Sequence, residues 1–390
     1  VIRVAILGST GSIGRSTLEV IERHRDRFQV MALTTHRNVD LLTAQVRRFG
    51  PAFAAVGDPR VAVPSGTGHA MWASGRQGVL DAAAWPDVDV VVNALVGAAG
   101  LEPTLRVLEA GHRLALANKE SLVAGGPLVL RAAGRGGAEI VPIDSEHSAI
   151  LQCLEGYERS AVERITLTAS GGPFRGRNLE ELGRVRPSEA LNHPTWDMGA
   201  KITIDSASLA NKALEVIEAH YLYGFGYDRI RAVVHPQSIV HSFVEFIDGS
   251  VLAQMGFPTM ELPILYALTY PERTEDPVLR TYDPVLASPL TFEEIDHTAF
   301  PLFGLGVEAG TRGGCAPAVY NAGNEIAVQA FLEERIRFPD MAEVVFQAME
   351  RVGTHEVHDV DDVLAADVAA RAEAAQISNR LGVARTGTTA

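Results

Sequence analysis

Cysteine is nearly absent from this chain. Cys153 and Cys315 are the only two in 390 residues. That is too few for a disulfide framework, and a reducing cytosol is the default compartment. No run of about 18 apolar residues occurs, so no segment is expected to span a membrane. Positive charge is in deficit, with 34 Lys and Arg against 48 Asp and Glu and a net charge of −14. Such a balance disfavours nucleic acid or an anionic membrane surface as the main partner. A phosphorylated ligand would need a local cationic site instead. Internal repeats and low-complexity blocks are missing too. What remains, 47% hydrophobic and 21% charged residues, is the profile of a globular protein. The length exceeds one ordinary core, so two or three domains are expected.

Residues 1–150 alternate apolar strands with helical patterns. Strands are predicted at Val1–Leu7, Phe28–Leu33, Phe53–Val56, Val88–Asn93, Arg113–Ala117 and Glu139–Ile143. Helical stretches such as Ser16–His24 and Pro127–Ala133 separate them. The alternation predicts an α/β, doubly wound, Rossmann-like domain with a largely parallel sheet. Ligands of such sheets bind beyond the carboxyl ends of the strands, and the polar signals fall there: Gly8–Gly14, Thr35–Asn38, Asn118–Glu120 and Asp144–Glu146. From Leu151 to about residue 270 shorter strands are predicted, at Ile165–Ala169, Lys201–Ile204, Ala232–His235, His241–Phe246 and Ser250–Met255. Asp248-Gly249 reads as a hairpin turn. This is an α+β domain, and one face or edge of its sheet is a candidate dimer interface. Residues 271–301, rich in Pro, Asp, Glu and Thr, read as a linker. Residues 302–390 read as a small helical bundle, over Ala316–Glu334, Asp340–Val352 and Val360–Leu381, with a disordered tail from Ala384.

Gly8-Ser-Thr-Gly11-Ser-Ile-Gly14 follows a buried strand and opens a helix. Its glycines permit a tight turn and close approach of a pyrophosphate to backbone N–H groups. A bare strand-to-helix turn would look the same. After the second strand an NAD binder carries an acid for the ribose hydroxyls. Here the sequence is Thr34-Thr35-His36-Arg37-Asn38. The missing acid and the presence of Arg37, which can pair with a 2′-phosphate, favour NADPH.

The stretch His193–Glu215 gathers a histidine, several hydroxyls, an amide, an ammonium and a carboxylate. Ser206 reads as the N-cap of a helix. Asn211, Lys212 and Glu215 then project from one side of it, at i, i+1 and i+4. Amide, ammonium and hydroxyl near a helix start suit a phosphate. Asp144-Ser145-Glu146 ends a strand and starts another helix. Taken alone it is an ordinary acidic helix start. At the rim of a cofactor cleft it becomes part of a hard-cation site that needs a third ligand, for which Glu215 is the candidate. Oxygen-only donors favour Mg²⁺ or Mn²⁺ over structural zinc.

With these residues in view the chain resembles the 1-deoxy-D-xylulose 5-phosphate reductoisomerase family. The resemblance rests on Gly8–Gly14, Ala115–Val123, Pro142–Ile150, Ala169–Phe174, His193–Glu215, His235–Gly256 and Asn321–Glu325, and covers nearly the whole chain. It implies an NADPH- and divalent-metal-dependent enzyme (Mg²⁺, Mn²⁺ or Co²⁺) of non-mevalonate isoprenoid synthesis, cytoplasmic and homodimeric. Such an enzyme rearranges its phosphorylated sugar substrate and then reduces it. It also implies roles residue by residue. Asp144, Glu146 and Glu215 would hold the metal. Lys119, Ser145 and Glu146 would contact the substrate backbone. Ser170, His193, Ser206, Asn211 and Lys212 would hold the rest of the substrate, chiefly its phosphate. Thr10, Gly11, Ser12, Ile13, His36, Arg37, Asn38, Asn118, Glu120 and Gly199 would bind NADPH. His36 stands where the family has a small residue, which puts the shape of the adenosine pocket in question.

Two other readings compete. A semialdehyde-type dehydrogenase shares a Gly-x-x-Gly loop but needs a cysteine thiolate, and Cys153 lies on an apolar helical pattern. A non-catalytic NADPH sensor has no use for three carboxylates and a phosphate set. The long connection between Gly171 and Met198 reads as a lid, with Trp196 as its apolar cover.

Overall fold

The computed structural model describes residues 1–64, 69–196 and 199–386. The chain forms two compact units. The first comprises Val1–Ser121, Pro127–Ser148 and Thr259–Thr281. The second comprises Leu122–Gly126, Ala149–Pro258 and Tyr282–Ala390.

The amino-terminal part runs β1 (Ile2–Leu7), α1 (Ser12–Arg23), β2 (Phe28–Thr35), α2 (Val39–Phe49), β3 (Phe53–Val56), β4 (Met71–Ser74) and α3 (Gly75–Ala83). It continues with β5 (Val90–Asn93), α4 (Leu101–Glu109), β6 (Arg113–Leu116), α5 (Lys119–Gly136), β7 (Ile140–Pro142) and α6 (Ser145–Leu154). The strands form one parallel sheet in the order β4-β3-β2-β1-β5-β6-β7. Its central strands are apolar without alternation because both faces are covered: Val4, Ala5, Ile6 and Leu7 are all fully buried. The direction of winding reverses between β1 and β5. The crevice beyond their carboxyl ends is therefore the ligand position of a doubly wound sheet. Six of the seven strands were expected from sequence. β4 was not, being a four-residue edge strand with no fully buried position.

Local chemistry fixes the helix ends. Asn38 caps α2 by accepting from Leu41 N at 3.2 Å, and Gly50 closes it in the left-handed region. Asn118 caps α5 through Ser121 N. The expected helix Pro127–Ala133 is the second half of α5. Gly125 breaks the helical angles two residues before Pro127, as a proline in mid-helix requires.

The chain continues with β8 (Val162–Ala169), α7 (Leu179–Leu182), α8 (Pro187–Ala190), α9 (Ala200–Ala207), α10 (Ala210–Tyr223), β9 (Ile230–Val234), β10 (Val240–Phe246) and β11 (Val251–Met255). The four strands form a mixed sheet, β11-β10-β8-β9, with only β8 and β9 parallel. The Asp248-Gly249 turn is present: Gly249 has φ +86° and Asp248 accepts from Ser250 N at 2.9 Å. Helix α10 packs on β8 and β9 and is buried along most of its length. After α11 (Glu261–Thr269), which belongs to the first unit, come α12 (Pro301–Arg312), α13 (Ala316–Leu332), α14 (Asp340–Val352) and α15 (Val360–Thr386). α13 is the buried hub of this bundle and packs on α12, α14, α15 and α9.

Four expectations need correction. Lys201–Ile204 is helical, as part of α9, not a strand. Its Ile-Thr-Ile run imitates strand alternation, but Thr203, Ile204 and Ala207, at i, i+1 and i+4, form one buried helical face, with Asp205 buried as well. Ser206 is not an N-cap. It lies in the last turn of α9, and α10 begins after Leu209 in a left-handed conformation, φ 59°. The contacts also cut the chain elsewhere than at 270. Thr259–Thr281 packs in the first unit, where Arg23 pairs with Glu261 (2.6 Å) and Asp276 (3.0 Å), and Arg27 with Glu272 (3.0 Å). Charges that looked like a solvated linker are thus a clasp. The later half of the expected 271–301 linker belongs to the second unit, where Glu293 pairs with Val234. Finally, α15 runs through Thr386, so the disordered tail expected from Ala384 is helical as far as that residue. Residues 387–390 lie outside the described residues, as does Met198 of the expected lid.

Candidate functional site

The glycine loop is built by contacts that leave no room for side chains. A Cβ on Gly8 would sit 2.7 Å from the Ala94 carbonyl oxygen, where the loops after β1 and β5 meet. One on Gly14 would sit 2.3 Å from Gly8 O. Ser9 is pinned inward, its N and Oγ donating to Thr34 O (2.8 and 3.1 Å) while Gln45 Nε2 donates to Ser9 O. Thr10 Oγ1 meets Thr35 Oγ1 at 2.6 Å. Gly11 is the N-cap of α1, with Ser12 and Ile13 its first residues and no acid in its first turn. This helix start is open to an anion.

His36, Arg37 and Asn38 are exposed at the end of β2. Arg37 Nε donates to Asp58 Oδ2 at 2.7 Å, which leaves its terminal nitrogens for a phosphate. Asp58 is buried and also takes Arg60 Nε and backbone N. The Arg60 guanidinium, then its backbone N–H and Arg37, hold this carboxyl well below the usual carboxylate range. Asn118 donates to Leu95 O, Gly97 O and Glu120 Oε2, each at 3.0 Å. Lys119, the first residue of α5, is ion-paired with Asp144 after β7, and Ser145 Oγ donates to Glu146 Oε2 at 2.6 Å. Asp144, Ser145 and Glu146 are half-buried, and Lys119 is buried.

The second unit gathers the other candidates. His193 Nδ1 accepts from Thr195 N (3.1 Å) and Trp196 N (3.0 Å). Its proton is therefore assigned to Nε2, which lies 3.1 Å from both Ser170 Oγ and Ser206 Oγ. Burial lowers the His193 pKa and keeps the ring neutral. A neutral ring that donates to hydroxyl oxygens leaves the hydroxyl protons for an external acceptor such as a phosphate. Ser170 is presented by Gly171 and Gly172, both at positive φ. Asn211 Nδ2 and Lys212 Nζ each donate to one oxygen of Glu215. Glu215 and Lys212 are 1% and 3% exposed, so charge is matched by charge inside the protein. Gly199 is the N-cap of α9, and its carbonyl accepts from Thr203 Oγ1 at 2.9 Å.

Three family models described as 1-deoxy-D-xylulose 5-phosphate reductoisomerase, or as its C-terminal domains, match residues 4–126, 140–223 and 255–373. A reductoisomerase of that name from Heliobacterium modesticaldum is 51% identical over 377 residues, covering 95% of each chain. The one from Gloeobacter violaceus is 49% identical over 374 residues, 94% of this chain and 95% of its own. The chain belongs to the 1-deoxy-D-xylulose 5-phosphate reductoisomerase family. Solved members of the family share its fold. The Zymomonas mobilis enzyme in complex with NADPH superposes with a TM-score of 0.91 at 42% identity, covering 97% of this chain and 99% of that one. A reductoisomerase in complex with NADPH, fosmidomycin and magnesium gives 0.92 at 39% identity, covering 97% and 98%.

Some residues that shape the site escaped sequence reasoning. Asp58, partner of Arg37, follows β3 with nothing around it to mark it. Asn93 is fully buried and holds the Gly100 carbonyl (3.1 Å) and Thr104 Oγ1 (2.8 Å). Its signal was there, a polar residue ending the run Val90-Val-Val. The dehydrogenase alternative finds no exposed thiol: Cys153 belongs to the core, and Cys315 is fully buried with Sγ 3.1 Å from His355 Nδ1. His235, outside the predicted set, donates from Nδ1 to Thr291 O and accepts from Ile239 N and Val240 N at Nε2, a structural role.

Proposed function

We propose that this chain rearranges 1-deoxy-D-xylulose 5-phosphate and reduces the resulting aldehyde with NADPH, giving 2-C-methyl-D-erythritol 4-phosphate. The observation that carries the reading is 51% identity to a reductoisomerase across 95% of the chain. The residue chemistry agrees with it. Ser170, Ser206, Asn211 and the neutral His193 hold the substrate phosphate, with Lys212 adding positive charge. Lys119 and Ser145 orient the carbon backbone that is to be rearranged. Thr10, Gly11, Ser12 and Ile13 cradle the NADPH pyrophosphate at the start of α1, Arg37 and its neighbours His36 and Asn38 take the 2′-phosphate, and Asn118, Glu120 and Gly199 complete the cofactor contacts.

Asp144, Glu146 and Glu215 are the residues that would hold a divalent cation. The donor set fits one, being oxygen-only, half-buried or buried, and already adapted to cationic neighbours: Asp144 faces Lys119, and Glu215 faces Lys212. When bound, such an ion supplies Lewis-acid polarisation of the substrate carbonyl and hydroxyl. NADPH supplies the hydride. Holding phosphate at one end and the reacting carbons at the other keeps both steps in one geometry.

The protein acts as a cytoplasmic homodimer in this reading. The exposed face of the mixed sheet, where Phe243 and Phe292 meet edge to face at 5.4 Å beside half-exposed Val251, is the candidate interface. Sedimentation of the wild type and of Phe292→Asp tests it, with a monomeric wild type as the contrary result. The activity is tested by following NADPH absorbance with 1-deoxy-D-xylulose 5-phosphate, with and without Mg²⁺. Oxidation that requires both is expected. No oxidation with metal present would end the proposal. Among the described residues no helix is long and apolar enough to cross a membrane.

A further inference from the structure

We propose that Asp205 and Asn324 form a positioning pair that sets the Ser206 hydroxyl in the substrate phosphate site, making the C-terminal helices part of substrate recognition. The inference rests on the phosphate role given above to Ser206. Asp205 precedes Ser206 on α9 and is 1% exposed. None of the metal or phosphate chemistry uses its carboxylate. Its Oδ1 accepts from Asn324 Nδ2 at 2.7 Å, across 119 residues of sequence, and its Oδ2 from Lys201 Nζ at 2.8 Å, one helical turn back. A buried carboxylate is tolerated only with such donors.

Helix α9 needs this external hold. It has eight residues, no side-chain N-cap bond, and an exit through the left-handed Leu209. A helix so short has little power to fix its own rotation. A rotation of roughly 20° about its axis moves a side-chain oxygen by about 1 Å, enough to break the 3.1 Å contact of Ser206 with His193. The loop bearing Ser170 rests on the same turn, since a Cβ on Gly172 would lie 2.9 Å from Ser206 O and Ala207 Cα. Asn324 is fully buried on α13, and α13 is tied to α15 by Glu325, 2.7 Å from Arg371. The pair therefore connects the C-terminal bundle to the hydroxyl that meets substrate.

The test compares variants of the full chain with NADPH and Mg²⁺ present. Asn324→Leu removes the donor at similar size. Its KM for 1-deoxy-D-xylulose 5-phosphate and its calorimetric dissociation constant for inorganic phosphate should both rise about tenfold, the size of one lost hydrogen bond to a charged acceptor. Its kcat should fall less than about threefold and its NADPH affinity change less than about twofold. Arg371→Met, which loosens the bundle without touching α9, should lower Tm and leave KM unchanged. An unchanged KM and phosphate affinity in Asn324→Leu would overturn the proposal, as would an equal KM rise in Arg371→Met. Should Asn324→Leu not fold, Asn324→Gln replaces it, with an intermediate rise expected and no rise contradicting the pair. Failure of the wild type to turn over the sugar phosphate would refute the functional reading alone, because the phosphate affinities still decide the pair.

Discussion

Replacing Glu215 by Gln separates metal chemistry from cofactor binding. The side chain is 1% exposed, and its two oxygens accept from Asn211 Nδ2 and Lys212 Nζ. Gln keeps the shape, removes the charge and turns one acceptor into a donor facing a donor. Breaking a buried ion pair from one side costs about 3–5 kcal/mol. At about 2–4 °C per kcal/mol for a unit of this size, Tm of the metal-free protein should fall by roughly 6–20 °C. Turnover should suffer more. Losing one of three proposed metal ligands should lower kcat by about 10²–10³, the size found when a single charge-stabilising group is removed. The residues proposed for NADPH lie almost entirely in the first unit, so NADPH affinity should move by less than about twofold. Steady-state kinetics at saturating Mg²⁺, NADPH titration by fluorescence and a thermal melt read the three quantities. Equal losses of turnover and NADPH affinity would refute the reasoning, and so would near-normal turnover.

Other expectations follow from single contacts. Arg37→Ser should raise KM for NADPH about tenfold while leaving KM for NADH nearly unchanged, because only the 2′-phosphate loses its partner; equal effects on both cofactors would remove Arg37 from that role. Gly14→Ala places a Cβ 2.3 Å from Gly8 O and 2.5 Å from Ser9 Cα, so the loop must open and calorimetry should show NADPH affinity falling by more than about tenfold. Burial holds His193 below the ordinary histidine value of 6.5. The unfolded chain protonates there near 6.5 and the folded chain only at lower pH, so this contribution to stability is present above 6.5 and is lost as pH falls through the depressed value. KM for the substrate should rise over the same acid window, and a flat kcat/KM profile down to pH 5 would contradict the neutral-ring role.

The first unit was nearly all legible in sequence because burial on both faces writes a parallel strand as an unbroken apolar run. Val4–Leu7 and Val90–Val92 are such runs, and the glycine loop follows the first of them. The edge strand Met71–Ser74 has no such covering and left no trace. The catalytic candidates were legible as types, since His193, Asn211, Lys212 and Glu215 lie close in sequence. Their local geometry was not. Ile202-Thr203-Ile204 alternates like a strand, and nothing in the residues announces the left-handed Leu209 that separates α9 from α10. Partners distant in sequence were invisible altogether: Asp58 for Arg37, Asp276 for Arg23, Asn324 for Asp205. Each is one polar side chain whose meaning comes from a tertiary contact.

The most direct measurement of the central claim is the carbon skeleton of the product. The protein would be incubated with ¹³C-labelled 1-deoxy-D-xylulose 5-phosphate, Mg²⁺ and NADPH, and the product read by NMR. The account predicts the branched 2-C-methyl-D-erythritol 4-phosphate, formed one-for-one with NADP⁺. NADPH oxidation that yields an unbranched, unrearranged alcohol would contradict it.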